Sequence, residues 1–243
     1  MKKNVFQIYI TQDEKSIIPD QIIKCIASVN NLKGEFEHYL LRGEQVRSII
    51  NNNLGREVLN AYDNLKPFAF KADLARYCLI YIFGGWYYDV SCAPKSELKT
   101  PGAAILVFKD APTSGNGGIN IQNAVFYGVK GHDLFRRLIE RIIFNVKTNF
   151  YGSNPLDITG PGLFGPEVAK SNIDDIIFGN YLPLTPMHNL KNFAFILPDG
   201  EIHSYGKYTA GTPLGDGLSS LGVIGGNSYG LMWATGDVYN NRN

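Results

Sequence analysis

The stretch that most limits what this chain can become is Phe68 to Ser91, FAFKADLARYCLIYIFGGWYYDVS. It predicts a helix over 68–83, stopped by Gly84-Gly85 where a helix C-terminus favours glycine, and then a strand rich in aromatics. The second half of the helix is apolar on nearly every side, which places it inside a fold. Asp73 and Arg76, three residues apart, share one of its faces. On an exposed helix such a pair contributes only ~0.2–0.5 kcal/mol, but in apolar surroundings both charges must share a polar pocket. The strand then delivers Asp89. A carboxylate left ionised, buried and unpaired is costly, so Asp89 is protonated, paired, or aimed at something that arrives from outside.

The rest of the chain reads as alternating strands and helices. Val5 to Thr11 alternates like a strand, and Pro19-Asp20 opens a helix with Ile22, Ile23, Ile26 and Val29 at helical spacing. A strand over 36–42 and helices over 44–52 and 56–65 follow. This order argues for a mainly parallel sheet covered by helices. Strands are expected over 103–108 and 119–127, separated by the turn-rich loop 112–118, then an amphipathic helix over 134–146. Short strands at 193–197 and 201–205 precede a glycine-rich stretch, 207–227, read as a lid, and a terminal element over 229–239. In open α/β sheets ligands bind at the carboxyl ends of strands, so Asp73, Arg76 and Asp89 converge on one cleft.

The run Asp73-x-x-Arg76-Tyr77-x-x-x-Tyr81-x-x-Gly84-Gly85-x-Tyr87-x-Asp89-x-Ser91 resembles the signature of glycosyltransferase family 32. That family includes yeast-type mannosyltransferases and bacterial capsule and lipopolysaccharide sugar transferases with a D-x-D motif, and it is related to the glucosylating-toxin catalytic domains. Other segments are similar to family motifs in the right order: Gln7-Ile8-Tyr9-Ile10, Asn123-Ala124-Val125, Thr159-Gly160-Pro161 and the segment from Asn227 to Trp233. The resemblance implies a GT-A fold, Rossmann-like and nucleotide-sugar-binding, across residues 1–243. Residues 1–94 would form the donor-binding half and 95–243 the acceptor half with the C-terminal lid.

It also implies retaining transfer from a UDP- or GDP-linked sugar to a glycan or lipid-linked glycan, as in polysaccharide, capsule or lipopolysaccharide synthesis. Asp73 and Arg76 match positions that hold donor-sugar hydroxyls, Tyr87 the donor-site tyrosine, and Tyr9 the base-stacking aromatic. Trp233 ends the terminal motif, as a core residue or as a lid over the diphosphate, while Asn123, Thr159 and Gly160 match acceptor-side or loop positions. Manganese or magnesium is implied at Asp89, Ser91 and Asn227. Ser91 stands where the family usually has a second Asp, and lacks the charge that hard cations favour in their ligands. Because of Ser91 and Asn227, a catalytically silent nucleotide-sugar-binding module is the alternative reading.

Composition closes other routes. The 243 residues carry a formal net charge of +1, with no polybasic surface to favour nucleic acid. The longest apolar run, Tyr77 to Phe83, is far shorter than a membrane-spanning helix requires. A lipid-linked acceptor would therefore be met peripherally, at the inner surface of the membrane, by a cytoplasmic protein. Cys25, Cys78 and Cys92 show no metal or redox spacing, and His38, His132, His188 and His203 show no zinc spacing. Each histidine is read as exposed or satisfied, with His203 the foremost exception.

Overall fold

The computed structural model describes residues 3–110, 120–184, 190–210, 218 and 221–240. The loop 112–118 and part of the glycine-rich stretch, at 211–217 and 219–220, lie outside the described residues. The chain runs β1 (Lys3–Tyr9), α1 (Asp20–Asn31), β2 (Phe36–Arg42), α2 (Gly43–Leu54), α3 (Arg56–Asn64), α4 (Phe68–Phe83) and β3 (Gly85–Tyr88). It continues through β4 (Ala93–Pro94), β5 (Ile105–Lys109), β6 (Ile121–Gly128), α5 (Asp133–Lys147) and α6 (Pro161–Ala169). The last elements are β7 (Ile176–Pro183), β8 (Leu190–Ile196), β9 (Ile202–Ala210) and α7 (Tyr229–Ala234).

Among the described residues one nine-stranded sheet runs in the order β2-β1-β3-β6-β5-β7-β8-β9-β4. Its parallel character is concentrated where the donor half was expected, in the pairs β1/β2 and β1/β3, with β5/β7 further along. The other five pairings are antiparallel, so the sheet is mixed rather than parallel throughout. The reason lies in the connections. Parallel neighbours need a crossover such as α1, whereas β5 to β6 and β8 to β9 return directly as hairpins.

Apolar packing explains why α4 is apolar all round. It lies between β1, β3 and β6 on one side and α5 on the other. Phe70, Leu74, Tyr77, Leu79 and Ile80 join Phe6, Tyr87, Phe126, Phe135 and Phe164 in the main core. The opposite face of the sheet buries Val5, Trp86, Tyr88, Phe108 and Phe195. Between α4 and β3 the chain turns hard against β1. Gly84 has φ +70° and Gly85 φ +118°, and a Cβ on Gly85 would lie 2.0 Å from the Asn4 carbonyl oxygen. Only glycine fits there, and this tight return brings Asp89 back beside the helix that carries Asp73 and Arg76.

His203 is a core residue. Its ring stacks on Trp86 at 4.6 Å between centroids, and its Nε2 is 2.6 Å from the Tyr88 hydroxyl. Burial lowers its pKa to about 4. It is a satisfied histidine on the face of β3 away from Asp73 and Arg76. The glycine-rich stretch also differs from its expected lack of structure, since its first four residues extend β9 to Ala210.

Candidate active site

The centre of the site is Arg76. Its Nη2 lies 3.1 Å from Asp73 Oδ1 and 3.2 Å from Asp89 Oδ1, so one guanidinium bridges the helix acid and the strand acid. Its Nη1 donates to the Asn123 carbonyl at 2.6 Å, its Nε to Ala72 O at 3.2 Å, and its plane sits 4.6 Å from the Tyr87 ring centroid. Burial works against the Arg76 charge, but Asp89, Tyr87 and Asp73 together raise its pKa. The arginine is therefore a fixed cation.

Asp73 is held as firmly. Its Oδ1 also accepts from Asn123 Nδ2 at 2.9 Å, and its Oδ2 accepts from the Thr159 hydroxyl at 2.7 Å. Gly160 packs directly beside it, where a Cβ would lie 3.5 Å from Oδ2. Burial raises the Asp73 pKa, while Arg76 and the hydroxyl of Thr159 pull it down. Asn123 Nδ2 and the Thr159 carbonyl both meet the Tyr77 hydroxyl, at 3.1 and 3.2 Å, which locks α4 to β6 and to the loop before α6.

Asp89 is the part that faces outward. Its side chain is 25% exposed, against 11% for Asp73 and 5% for Arg76. Among the described residues its close contacts, from Arg76 and from the Tyr87 hydroxyl at 2.8 Å, fall on Oδ1. Gln7 positions the backbone at this point. Its Nε2 donates to Asp89 O at 3.3 Å, and its Oε1 accepts from His38 Nε2 at 2.9 Å. Gln7 was missed as a site residue in the sequence. The signal available was an amide set between apolar residues, Val5-Phe6 before it and Ile8 after it.

Asp73, Arg76, Tyr87, Asp89, Asn123, Thr159 and Gly160 thus come together. Four other candidates sit apart from this network. Tyr9 is fully buried at the end of β1, with the Arg42 guanidinium 4.6 Å over its ring and Leu221 and Val223 in the same apolar cluster. A base reaches this position only by displacing part of that cover. Trp233 is half-buried on α7, and its indole N–H donates to Tyr151 O at 2.8 Å. Asn227 spends both ends of its amide at the start of α4, accepting from Phe68 N at 2.8 Å and donating to Lys66 O at 3.1 Å. Ser91 is buried.

The donor set decides the question of a metal. Among the described residues no group of three His, Cys, Asp or Glu side chains comes together. Asp89 is the lone carboxylate of the expected trio, Asn227 is committed elsewhere and Ser91 is neutral. These residues do not fit a preformed site for a hard divalent cation, which favours several charged oxygens.

Comparison with known proteins agrees with the chemistry of this arrangement. The family model described as a glycosyltransferase sugar-binding region containing a DXD motif matches residues 19–106, the span that holds Asp73, Arg76 and Asp89. The chain is a glycosyltransferase. An uncharacterized glycosyltransferase, L373, of Acanthamoeba polyphaga mimivirus is 25% identical over 215 residues, covering 86% of this chain and 83% of its own. Among solved structures, the PaToxG glycosyltransferase superposes with a TM-score of 0.53 at 14% identity, over 70% of this chain and 69% of that one. That likeness shows the fold alone, which is of the GT-A type. As a glycosyltransferase of this kind the enzyme draws on a nucleotide-sugar donor, and proteins with the DXD motif generally use a divalent metal. No helix among the described residues is long and apolar enough to cross a membrane.

Proposed function

We propose that this glycosyltransferase moves a hexosyl unit, with retention of anomeric configuration, from a UDP- or GDP-linked sugar to a glycan or lipid-linked glycan during cell-surface polysaccharide, capsule or lipopolysaccharide synthesis. In this reading residues 1–243 act as one unit, donor-binding over 1–94 and acceptor-facing beyond, on the cytoplasmic side of a membrane surface. The observation that carries it is the bridge Asp73–Arg76–Asp89, in which one buried cation orients two carboxylates while the Asp89 side chain stays partly exposed. Rigid placement of a carboxylate acceptor beside a guanidinium suits the hydroxyls of a sugar.

Chemically, the bond between the anomeric carbon and the leaving diphosphate oxygen breaks as the acceptor hydroxyl approaches the same face. The hydroxyl proton passes to the departing phosphate oxygen, so no protein base is demanded. Asp89 and Tyr87 hold the donor in line, and Asp73 with Arg76 fixes the sugar, so positioning and electrostatics supply the rate. A cation, where one takes part, would have to arrive with the diphosphate. Transfer catalysed by the purified protein from a panel of UDP- and GDP-sugars, with and without manganese, tests the reading. Asp89→Ala should lower transfer by at least about a hundredfold while Asp89→Asn keeps the melting temperature near wild type. Full transfer by both variants would remove Asp89 from the site, and donor binding without any turnover would return the silent module.

A further inference from the structure

Tyr9 and Arg42 are register partners on neighbouring parallel strands, so their side chains project from the same face at the carboxyl ends of β1 and β2. Arg42 is held from several directions. Its guanidinium lies 4.6 Å from the centroid of the Tyr9 ring, and its Nη2 donates to Ser16 O at 3.1 Å. Its backbone N–H donates to the Gln45 side chain at 2.8 Å. One donor is left over. Among the described residues Arg42 Nη1 is buried and meets no hydrogen-bond acceptor, and the covered Tyr9 hydroxyl, near Ser16, makes no well-formed hydrogen bond either. A buried donor of a charged group with no acceptor is expensive to maintain, and a fixed one gains more when an acceptor arrives.

The location narrows what that acceptor is. In the sheet β2 is separated from β3, the strand that leads into Asp89, by β1 alone. Two strand spacings amount to roughly 10 Å, which is the reach from a diphosphate across a ribose to its base. A diphosphate at Asp89 therefore brings the edge of its nucleobase to the end of β2. Uracil and guanine present keto oxygens that accept from Arg42, whereas adenine and cytosine present amino groups at the corresponding edge, donor against donor.

We propose that Arg42 is the residue that selects the donor nucleotide, accepting keto bases and rejecting amino bases through Nη1. The inference rests on the donor-site reading given above and adds to it a residue outside the Asp73–Arg76–Asp89 network. Tyr9 then acts behind Arg42, steadying the guanidinium by its ring face.

The test is calorimetric titration of the full chain with UDP, GDP, CDP and ADP, each with manganese, for wild type, Arg42→Met, Arg42→Lys and Asp89→Ala. Wild type should bind its better keto nucleotide at least tenfold more tightly than either amino nucleotide. Arg42→Met should reduce that ratio to under threefold by weakening the keto nucleotide alone. Arg42→Lys, which keeps the charge and is the milder change for folding, should fall between. Should Arg42→Met keep the full ratio, or should all four nucleotides weaken equally, the inference is overturned while the donor site stands, provided Asp89→Ala still weakens binding. Failure of wild type to bind any of the four would overturn both.

Discussion

At the scale of single residues, the site is built on one buried charge balance. Three ionic groups, Asp73, Arg76 and Asp89, carry a net charge of −1 when all are ionised, and Asp73 is the most deeply buried of the two acids. Burial raises the Asp73 pKa above its ordinary value of 3.8 despite Arg76 and Thr159. The sign of the pH effect follows from proton counting. Just above pH 3.8 the unfolded chain has released this proton while the folded chain keeps it, so ionisation of Asp73 erodes stability as pH rises through the raised value. Asp73→Asn keeps the shape and has no proton to lose. Its stability relative to wild type should therefore improve steadily as pH rises above 3.8, measured by urea unfolding at a series of pH values. A gap that is flat, or that widens against the variant with pH, would show that Arg76 and Thr159 outweigh burial. Arg76 itself tolerates no such change, because removing it would strand two carboxylates together.

At the scale of elements, the α4–turn–β3 unit was legible with its helix bounds intact, because apolar residues, paired glycines and aromatics each pointed the same way. Asp73 and Arg76 at i, i+3 were legible for the same reason. What escaped was non-local. Helix α6, Pro-Gly-Leu-Phe-Gly-Pro-Glu-Val-Ala, carries two prolines and two glycines that read as a loop. It forms because Pro161 suits a first helical turn and because Leu163, Phe164 and Val168 are buried in the main core. The antiparallel partners of β3 and β7 were equally out of reach, since pairing depends on where distant strands arrive. The end of the glycine-rich stretch belongs here too. Leu221 and Val223 cover Tyr9, and Gly225 O accepts from Gln12 N at 2.8 Å. If this segment lifts to admit a nucleotide, fastening it should block the enzyme. A Cβ on Gly225 would lie 3.6 Å from that of Gln12, within the range a disulfide spans, and the left-handed backbone of Gly225, φ +74°, makes the cysteine there a strained one. The three native cysteines are buried and leave an engineered pair to itself. Gln12→Cys with Gly225→Cys, oxidised, should bind donor nucleotide at least about tenfold more weakly than after reduction. Equal binding in both states would mean that the segment stays in place during catalysis.

At the scale of the whole molecule, the two faces of the sheet respond to acid in opposite directions. His38, beside β1, and His203, under β3, both have their pKa lowered to about 4 by burial. Each is neutral in the folded chain at pH values where the unfolded chain would already have taken up a proton. Stability is thus whole above the ordinary histidine value of 6.5 and is lost as pH falls toward about 4. The loss is on the order of 3 kcal/mol for His203 and smaller for His38, which keeps more contact with water, whereas the raised pKa of Asp73 works in the opposite direction. Histidine should win, since two sites oppose one and Asp73 is partly compensated by Arg76. The protein is expected to lose stability between pH 6.5 and 4. His203→Gln, which can still meet the Tyr88 hydroxyl, should remove about half of the acid loss and leave transfer at pH 7.5 unchanged, as His203 lies on the face away from Arg76. Unfolding of wild type and variant in urea at pH 7.5, 5.5 and 4.5 separates the cases. Parallel curves would mean that His203 accepts its proton inside the core, and that the Trp86 and Tyr88 environment is wetter than its packing implies.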